Sequence, residues 1–362
     1  MPVRFFLLIG LVIGSLPGHA GEPAKPAPIL DRLKRDIADA PLSMRFKGTT
    51  ADECVAWQKE FAAKLTTLLG PHAPPVKWKT TVVTVKDFDD HRREELLLTA
   101  DGHPPLPMYL LTPKNAKGKR PAILAVHGHG AHGHHPIAGR DDLPGVGNAI
   151  KNNNYDYGRQ LVRQGYVVTC PCMTPFGDRL GKNAGKTDLC GDTFIRMSML
   201  GRTLMAENLR DCRWAVSLLA QHPDVDADRI GCVGLSLGGR MTMLTTALEP
   251  RIKVCAISGA LNAMQERVSQ PYGCGSQIIP GLLQFGDVAE IASLIAPRPC
   301  LWEVGAKDKL IDPTWADEIL RRQGRAYKAL NVEDQLTVDR FDGGHVWHGT
   351  VAAELLKKVL RP

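Results

Sequence analysis

No run of apolar residues in this sequence approaches the roughly 20 needed to cross a bilayer; the longest candidate, Phe5 to Ile13, is about half that length, so no stable membrane anchor is expected. There is no dense block of one charge either: 45 Lys and Arg stand against 38 Asp and Glu, spread along the chain. The densest basic run is only Lys117-Gly-Lys-Arg120, between Pro113 and Pro121, and it reads as a solvated hairpin tip. A nucleic-acid face needs clustered basic residues, so no nucleic-acid partner is expected. With 44% hydrophobic and 23% charged residues the chain is neither disordered, collagenous nor coiled-coil. No internal repeat appears. Metal-ligand spacing is also missing, because Cys170-Pro-Cys172 has no second pair at a matching distance.

The N-terminus differs in character from the rest. Arg4 precedes the apolar stretch, which gives way to Ser15, Pro17 and Gly18-His19-Ala20, the charge, core and small-residue pattern of a secretory signal with cleavage after Ala20. Residues 1–20 are therefore expected to be a signal peptide, and the product is expected in the periplasm or outside the cell. Residues 21–50, starting with the Pro- and Ala-rich stretch Gly21 to Pro28, are expected to be flexible. Export permits disulfides, but nine cysteines leave at least one unpaired. Cys232, Cys255 and Cys300 fall in apolar runs and read as buried; two of Cys172, Cys190 and Cys274, in loop-like sequence, form the favoured pair.

At roughly 150 residues per domain the length allows two domains, but one large sheet absorbs all of it. Apolar residues at Val55, Trp57, Phe61, Leu65, Leu68 and Leu69 predict a helix ending at Gly70-Pro71. Short runs at 80–85, 94–99 and 108–111 predict an antiparallel meander. From Pro121 strands alternate with helices: strands at 122–126, 166–169, 229–233, 253–257, 300–304 and 335–341, and helices at 155–164, 192–220, 238–248, 314–322 and 346–360. Such units bury a mostly parallel sheet between helix layers, with the meander as antiparallel strands at the N-terminal edge. A single α/β domain over residues 51–362 follows.

Gly234-Leu235-Ser236-Leu237-Gly238 lies directly between an apolar strand and an apolar-periodic helix. A serine on so tight a turn needs small neighbours two before and two after it. The turn presents the hydroxyl at a helix N-terminus, with the Leu237 amide free to hold an oxyanion. A serine hydroxyl needs a base. Only His345 and His348 follow the last strand; His345, after the Gly343-Gly344 pair, is the base, and His348 falls inside the last helix. The acid that orients an imidazole is Asp308, after strand 300–304, because Asp312 before Pro313 is a helix N-cap. A second oxyanion amide is expected from His129, in His127-Gly-His-Gly130. The crowd of His127, His129, His132, His134 and His135 invites a metal reading, but supporting carboxylates are not obvious, so no cofactor or metal is expected.

These residues, in the order Ser236, Asp308, His345, resemble the α/β-hydrolase superfamily, and more narrowly the dienelactone-hydrolase-like group that includes acetyl xylan esterases. The likeness spans roughly residues 80 to 360 and includes Arg163 to Val168, Asp226 to Gly231, Ile279 to Leu283, Leu294 to Pro299 and Gly343-Gly-His345. Dienelactone hydrolases proper carry a cysteine nucleophile where this chain has Ser236. The resemblance implies an α/β-hydrolase fold and ester hydrolysis through a Ser-His-Asp triad, on an ester carried by an extracellular carbohydrate such as acetylated xylan. Inserts at 172–192 and 265–285 are expected to frame the pocket, with Phe176, Arg179, Tyr272 and Trp347 as substrate contacts. A prolyl-oligopeptidase-like peptidase shares the catalytic order but needs a large extra domain in front. A lipase needs an apolar lid that neither insert supplies. A non-catalytic binding protein on this fold would normally have lost a triad member. Nothing in the sequence sets the oligomeric state.

Overall fold

The computed structural model describes residues 28–114, 118–181, 188–269 and 274–362; the signal-like segment 1–20, Lys117 and Tyr272 lie outside the described residues. Nine strands form one sheet: β1 (Lys79–Asp87), β2 (His91–Ala100), β3 (His103–Pro113), β4 (Arg120–Val126), β5 (Val167–Pro171), β6 (Val225–Leu235), β7 (Ile252–Ser258), β8 (Cys300–Gly305) and β9 (Leu336–Phe341). Their spatial order is β1-β2-β3-β5-β4-β6-β7-β8-β9. The first three strands and the β3–β5 pair are antiparallel, and every pairing from β5 across to β9 is parallel.

The sequence explains this division. Strands β4, β5, β7 and β8 are apolar on nearly every residue and buried on both faces, as a parallel sheet between helix layers requires. β1 closes the open edge, and its Thr-, Lys- and Asp-containing residues are exposed throughout.

Helices cover both faces. On one side lie α2 (Ala51–Leu69), α6 (Leu204–Gln221), α7 (Leu237–Leu248), α9 (Val288–Ser293) and α10 (Pro313–Ala329), packed on Leu124, Val126, Cys232, Cys255 and Trp302. On the other lie α4 (Tyr157–Arg163) and α11 (Thr350–Leu360), packed on Ile123, Ala125, Val233 and Leu301. Alternate residues of one strand thus serve opposite cores. Each large apolar side chain so buried contributes about 1.5–3 kcal/mol. Thr50 and Glu53 start α2 with reciprocal side-chain caps.

Three expectations are corrected. The helix predicted over 192–220 is two helices, α5 (Leu189–Met199) and α6, because Gly201 turns into the left-handed region at φ +66° and Thr203 recaps the chain by accepting the Ala206 amide at 3.1 Å. The last helix starts at Thr350, behind Gly349 at φ +78°, so His348 is in the loop and not in the helix. Within 21–50, Ile29–Ala38 is helical (α1), and the amides of Leu42, Ser43 and Met44 bond the carbonyls of Leu283, Gln284 and Phe285, burying Leu42 and Phe46. Of these, the N-terminal segment is held by partners far along the chain.

Candidate active site

Every residue of the predicted chemistry sits at the carboxyl end of a parallel strand or just beyond it. Ser236 occupies the turn between β6 and α7 with φ +63° and ψ −121°, a conformation that costs a side-chain-bearing residue on the order of 1–3 kcal/mol. Its amide donates to the Ser258 carbonyl at 2.8 Å, which fixes the turn against β7. Glycine is obligatory on both sides. A Cβ on Gly234 would lie 2.5 Å from the Gly238 carbonyl, and one on Gly238 would lie 2.0 Å from the Val126 carbonyl oxygen. Leu237 is the first residue of α7, so its amide has no acceptor within the helix.

Asp308 follows β8 and is buried, its side chain 1% exposed. One carboxylate oxygen accepts the Leu310 amide at 2.9 Å; the other accepts the Nδ1 proton of His345 at 2.7 Å. An imidazole that donates Nδ1–H to a carboxylate keeps Nε2 free to take a proton. The His345 loop is pinned from two directions. The amides of Ala306 and Lys307 bond the carbonyls of Phe341 and Gly343 at 2.8 Å each. From the other side the Asn153 side chain donates to the His345 carbonyl at 3.1 Å, the Trp347 amide to the Asn153 carbonyl at 3.1 Å, and Asn154 to the Trp347 carbonyl at 2.9 Å. Asn153 ends the helix α3 (Val146–Asn153).

Ser236 and His345 line one cavity of about 740 Å³, shared with His129, Tyr155, Arg267 and Gln277. The loop after β4 brings His129 there, and its neighbours explain how. His127 is buried and neutral: burial pushes its pKa down to about 3, its Nδ1–H donates to the Gly128 carbonyl at 2.7 Å, and its Nε2 accepts the Met173 amide at 2.9 Å. The Gly128 amide donates to the Tyr155 hydroxyl at 2.5 Å and is thereby engaged. The exposed His129 ring sits with Nε2 3.0 Å from Ser276 Oγ.

The expected substrate contacts fare differently. Phe176 stands edge-on to His127 and His129, with ring centres 5.7 and 5.3 Å away, as a backing for that loop. Arg179 does not line the cavity; it is held by Asp211 at 2.5 Å, Thr174 Oγ1 at 2.8 Å and the Pro105 carbonyl at 2.5 Å. Trp347 is 3% exposed and packs on Tyr157 at 5.0 Å, in the core. In their place the structure brings Tyr155, Asn153, Arg267 and Gln277 to the cavity. Arg267 and Gln277 belong to the insert expected to frame it; no local pattern marks Tyr155 or Asn153.

The carboxylate the histidine cluster lacks in sequence comes from Asp178, 3.3 Å from His134 Nε2 and 3.2 Å from His135 Nε2. His134 and His135 hold its carboxyl well below the usual range. This trio, the trio Glu303, Asp339 and His348, and the trio His129, Cys190 and Cys274 each bring possible metal-ligand atoms within 4.8 Å of one another. His348 bonds Asp339 at 2.6 Å and stacks on Phe341 at 4.4 Å. Beside it Glu303, at the end of β8, accepts the Gly349 amide at 2.8 Å, and burial raises its pKa to about 7.

The sheet order, the serine elbow after β6, and a histidine and acid after the last two strands define an α/β-hydrolase. The model of the dienelactone hydrolase family matches residues 106–267. The Bacillus subtilis (strain 168) protein named "Putative hydrolase YtaP" is 30% identical over 295 residues, which cover 80% of this chain and 94% of that one. The chain belongs to the dienelactone hydrolase family and is a hydrolase. Among solved structures, a "putative acetyl xylan esterase" from Bacteroides fragilis NCTC 9343 superposes with a TM-score of 0.73 at 17% identity, over 89% of this chain and 84% of that one. A CE15 glucuronoyl esterase from Teredinibacter turnerae T7901 gives 0.63 at 18% identity, over 90% of each chain. At such identities these two share the fold with this protein.

Proposed function

We propose that the protein is an exported serine esterase that hydrolyses carboxylic esters on carbohydrate, acetyl esters foremost, through an acyl-enzyme on Ser236. The observation that carries this reading is the strained Ser236 elbow in one cavity with a histidine whose Nδ1 is bonded to buried Asp308 at 2.7 Å.

Ser236 Oγ attacks the ester carbonyl carbon while His345 Nε2 takes its proton. Asp308 holds the ring in the productive tautomer and stabilises the imidazolium. The developing oxyanion is held by the amides of Leu237 and His129; one such donor is worth about 3–4 kcal/mol of barrier. His345 then returns the proton to the leaving alcohol, and a water activated by the same ring cleaves the acyl-enzyme. Arg267, Asn153 and Gln277 supply polar groups for sugar hydroxyls, and Leu310 and Tyr155 supply apolar surface. The fold shared with esterases named for xylan and glucuronoyl esters supports a carbohydrate ester, and the N-terminal segment supports export.

The test compares the wild type with Ser236→Ala on acetylated xylan, short p-nitrophenyl esters, methyl glucuronate esters and peptides. Hydrolysis of the acetyl esters is expected to vanish in the variant. Equal rates for the two proteins on every ester would sink the serine mechanism, and turnover of peptides alone would replace the esterase with a peptidase.

A further inference from the structure

Nine cysteines are buried among the described residues, and two of them meet beside the candidate active site. Cys190 lies in the first turn of α5, in the first insert; Cys274 precedes the turn Gly275–Gln277, in the second. The two segments touch at backbone level, since a Cβ on Gly275 would lie 2.6 Å from the Cys190 carbonyl oxygen. The sulfur atoms of Cys190 and Cys274 and a ring nitrogen of His129 all lie within 4.8 Å of one another. Cys274 Sγ is 2.8 Å from His129 Nε2 and 2.8 Å from Ser276 Oγ. Cys274 also lines the cavity that holds Ser236, whereas Cys232, Cys255 and Cys300 are sealed in the core. Cys172, the third candidate from sequence, instead donates its thiol to the Phe176 carbonyl at 3.1 Å.

We propose that Cys190 and Cys274 are a disulfide-forming redox pair in the cavity wall, oxidised by small disulfides of the glutathione class, and that its closure staples the two inserts together and frees the His129 ring. Closing the pair brings the sulfurs from within 4.8 Å of one another to the bond length of about 2.05 Å.

The chemistry has two exchanges. Cys274, as thiolate, attacks one sulfur of the small disulfide; the other sulfur leaves as a reduced small thiol, and Cys274 is held in a mixed disulfide. Cys190 then loses its proton and attacks the Cys274 sulfur, forming the internal bond and expelling the second small thiol. Two protein thiols lose two electrons and two protons, and the small disulfide gains both. The surroundings suit these roles. Cys190, His129 and Ser276 pull the Cys274 thiol down to the thiolate side against its burial, while Cys274 and burial push the Cys190 thiol up. The consequence for turnover rests on the esterase reading, because the His129 ring belongs to the residue whose amide holds the oxyanion there.

The full chain, reduced and then equilibrated with oxidised glutathione, is denatured, alkylated and mapped by mass spectrometry without reductant. The expected product in the wild type is a single cross-linked pair, Cys190 with Cys274. Cys190→Ser is expected to carry glutathione on Cys274, in the cavity, and to lose ester hydrolysis by about tenfold or more on oxidation, with recovery on reduction. Cys274→Ser is expected to leave Cys190 unmodified. Free thiols at both positions in the oxidised wild type, a cross-link through Cys172, or a stoichiometric metal ion whose removal exposes both thiols would overturn the proposal. The mapping needs neither variant nor activity, so a cross-link in a protein inert towards every ester would refute the esterase reading and leave the redox pair standing.

Discussion

Glu303 carries a charge problem that a titration exposes. Its side chain is 0% exposed, and burial raises its pKa from 4.5 to about 7 against the pull of the Gly349 amide. The unfolded chain therefore gives up this proton near its ordinary pKa, and the folded chain keeps it until about 7. Between those values the native state binds more protons than the unfolded state, so stability falls as pH rises. The contribution is fully present below 4.5 and lost as pH passes through about 7, a difference of about 3 kcal/mol. Glu303→Gln keeps the shape and the acceptor for Gly349 while removing the titration. Urea unfolding of both proteins at about pH 5 and about pH 8 should show the wild type losing about 2.5 kcal/mol more than the variant between the two conditions. Groups remote from Glu303 titrate alike in both proteins and cancel in the comparison. An identical pH dependence in wild type and variant would refute the reasoning.

Two further outcomes follow from the site. Asp308→Asn should lower kcat by roughly 10⁴-fold with the fold intact, because the amide loses the charge and misdirects the His345 tautomer; steady-state kinetics beside circular dichroism decide it, and near-native turnover contradicts the triad. Gly238→Ala must place a methyl 2.0 Å from the Val126 carbonyl oxygen, which is backbone and cannot step aside. It should cost more than about 4 kcal/mol or abolish folding, and a melting temperature within a few degrees of wild type would show that the approach of the start of α7 to β4 is looser than described.

The centre of the sheet was legible because β4, β5, β7 and β8 are apolar on nearly every residue, and the places of Ser236, Asp308 and His345 in the fold were legible because each lies just beyond a strand end, although β9, before His345, is only half-buried. What escaped depends on contacts distant in sequence. Arg179 looks like a free loop cation until the fold sets Asp211 against it. Trp347 looks like a pocket aromatic, yet its neighbour in space is Tyr157. Residues 42–46 look like linker, although their backbone finds acceptors at 283–285. Apolar spacing predicts helix from Val346 through the His345 loop, because it does not reveal that Gly349 adopts a left-handed turn.

The bonds from Asn153 and Asn154 to the carbonyls of His345 and Trp347 have a mechanical meaning. The end of α3 is both a wall of the cavity, through Asn153, and the mount of the histidine. Under the proposed function, a bulky alcohol that pushed this wall outward would pull on the carbonyls that carry the ring. On the proposed mechanism, discrimination between esters is exercised in part on the base itself, and substitutions that widen this wall should cost kcat before they change KM.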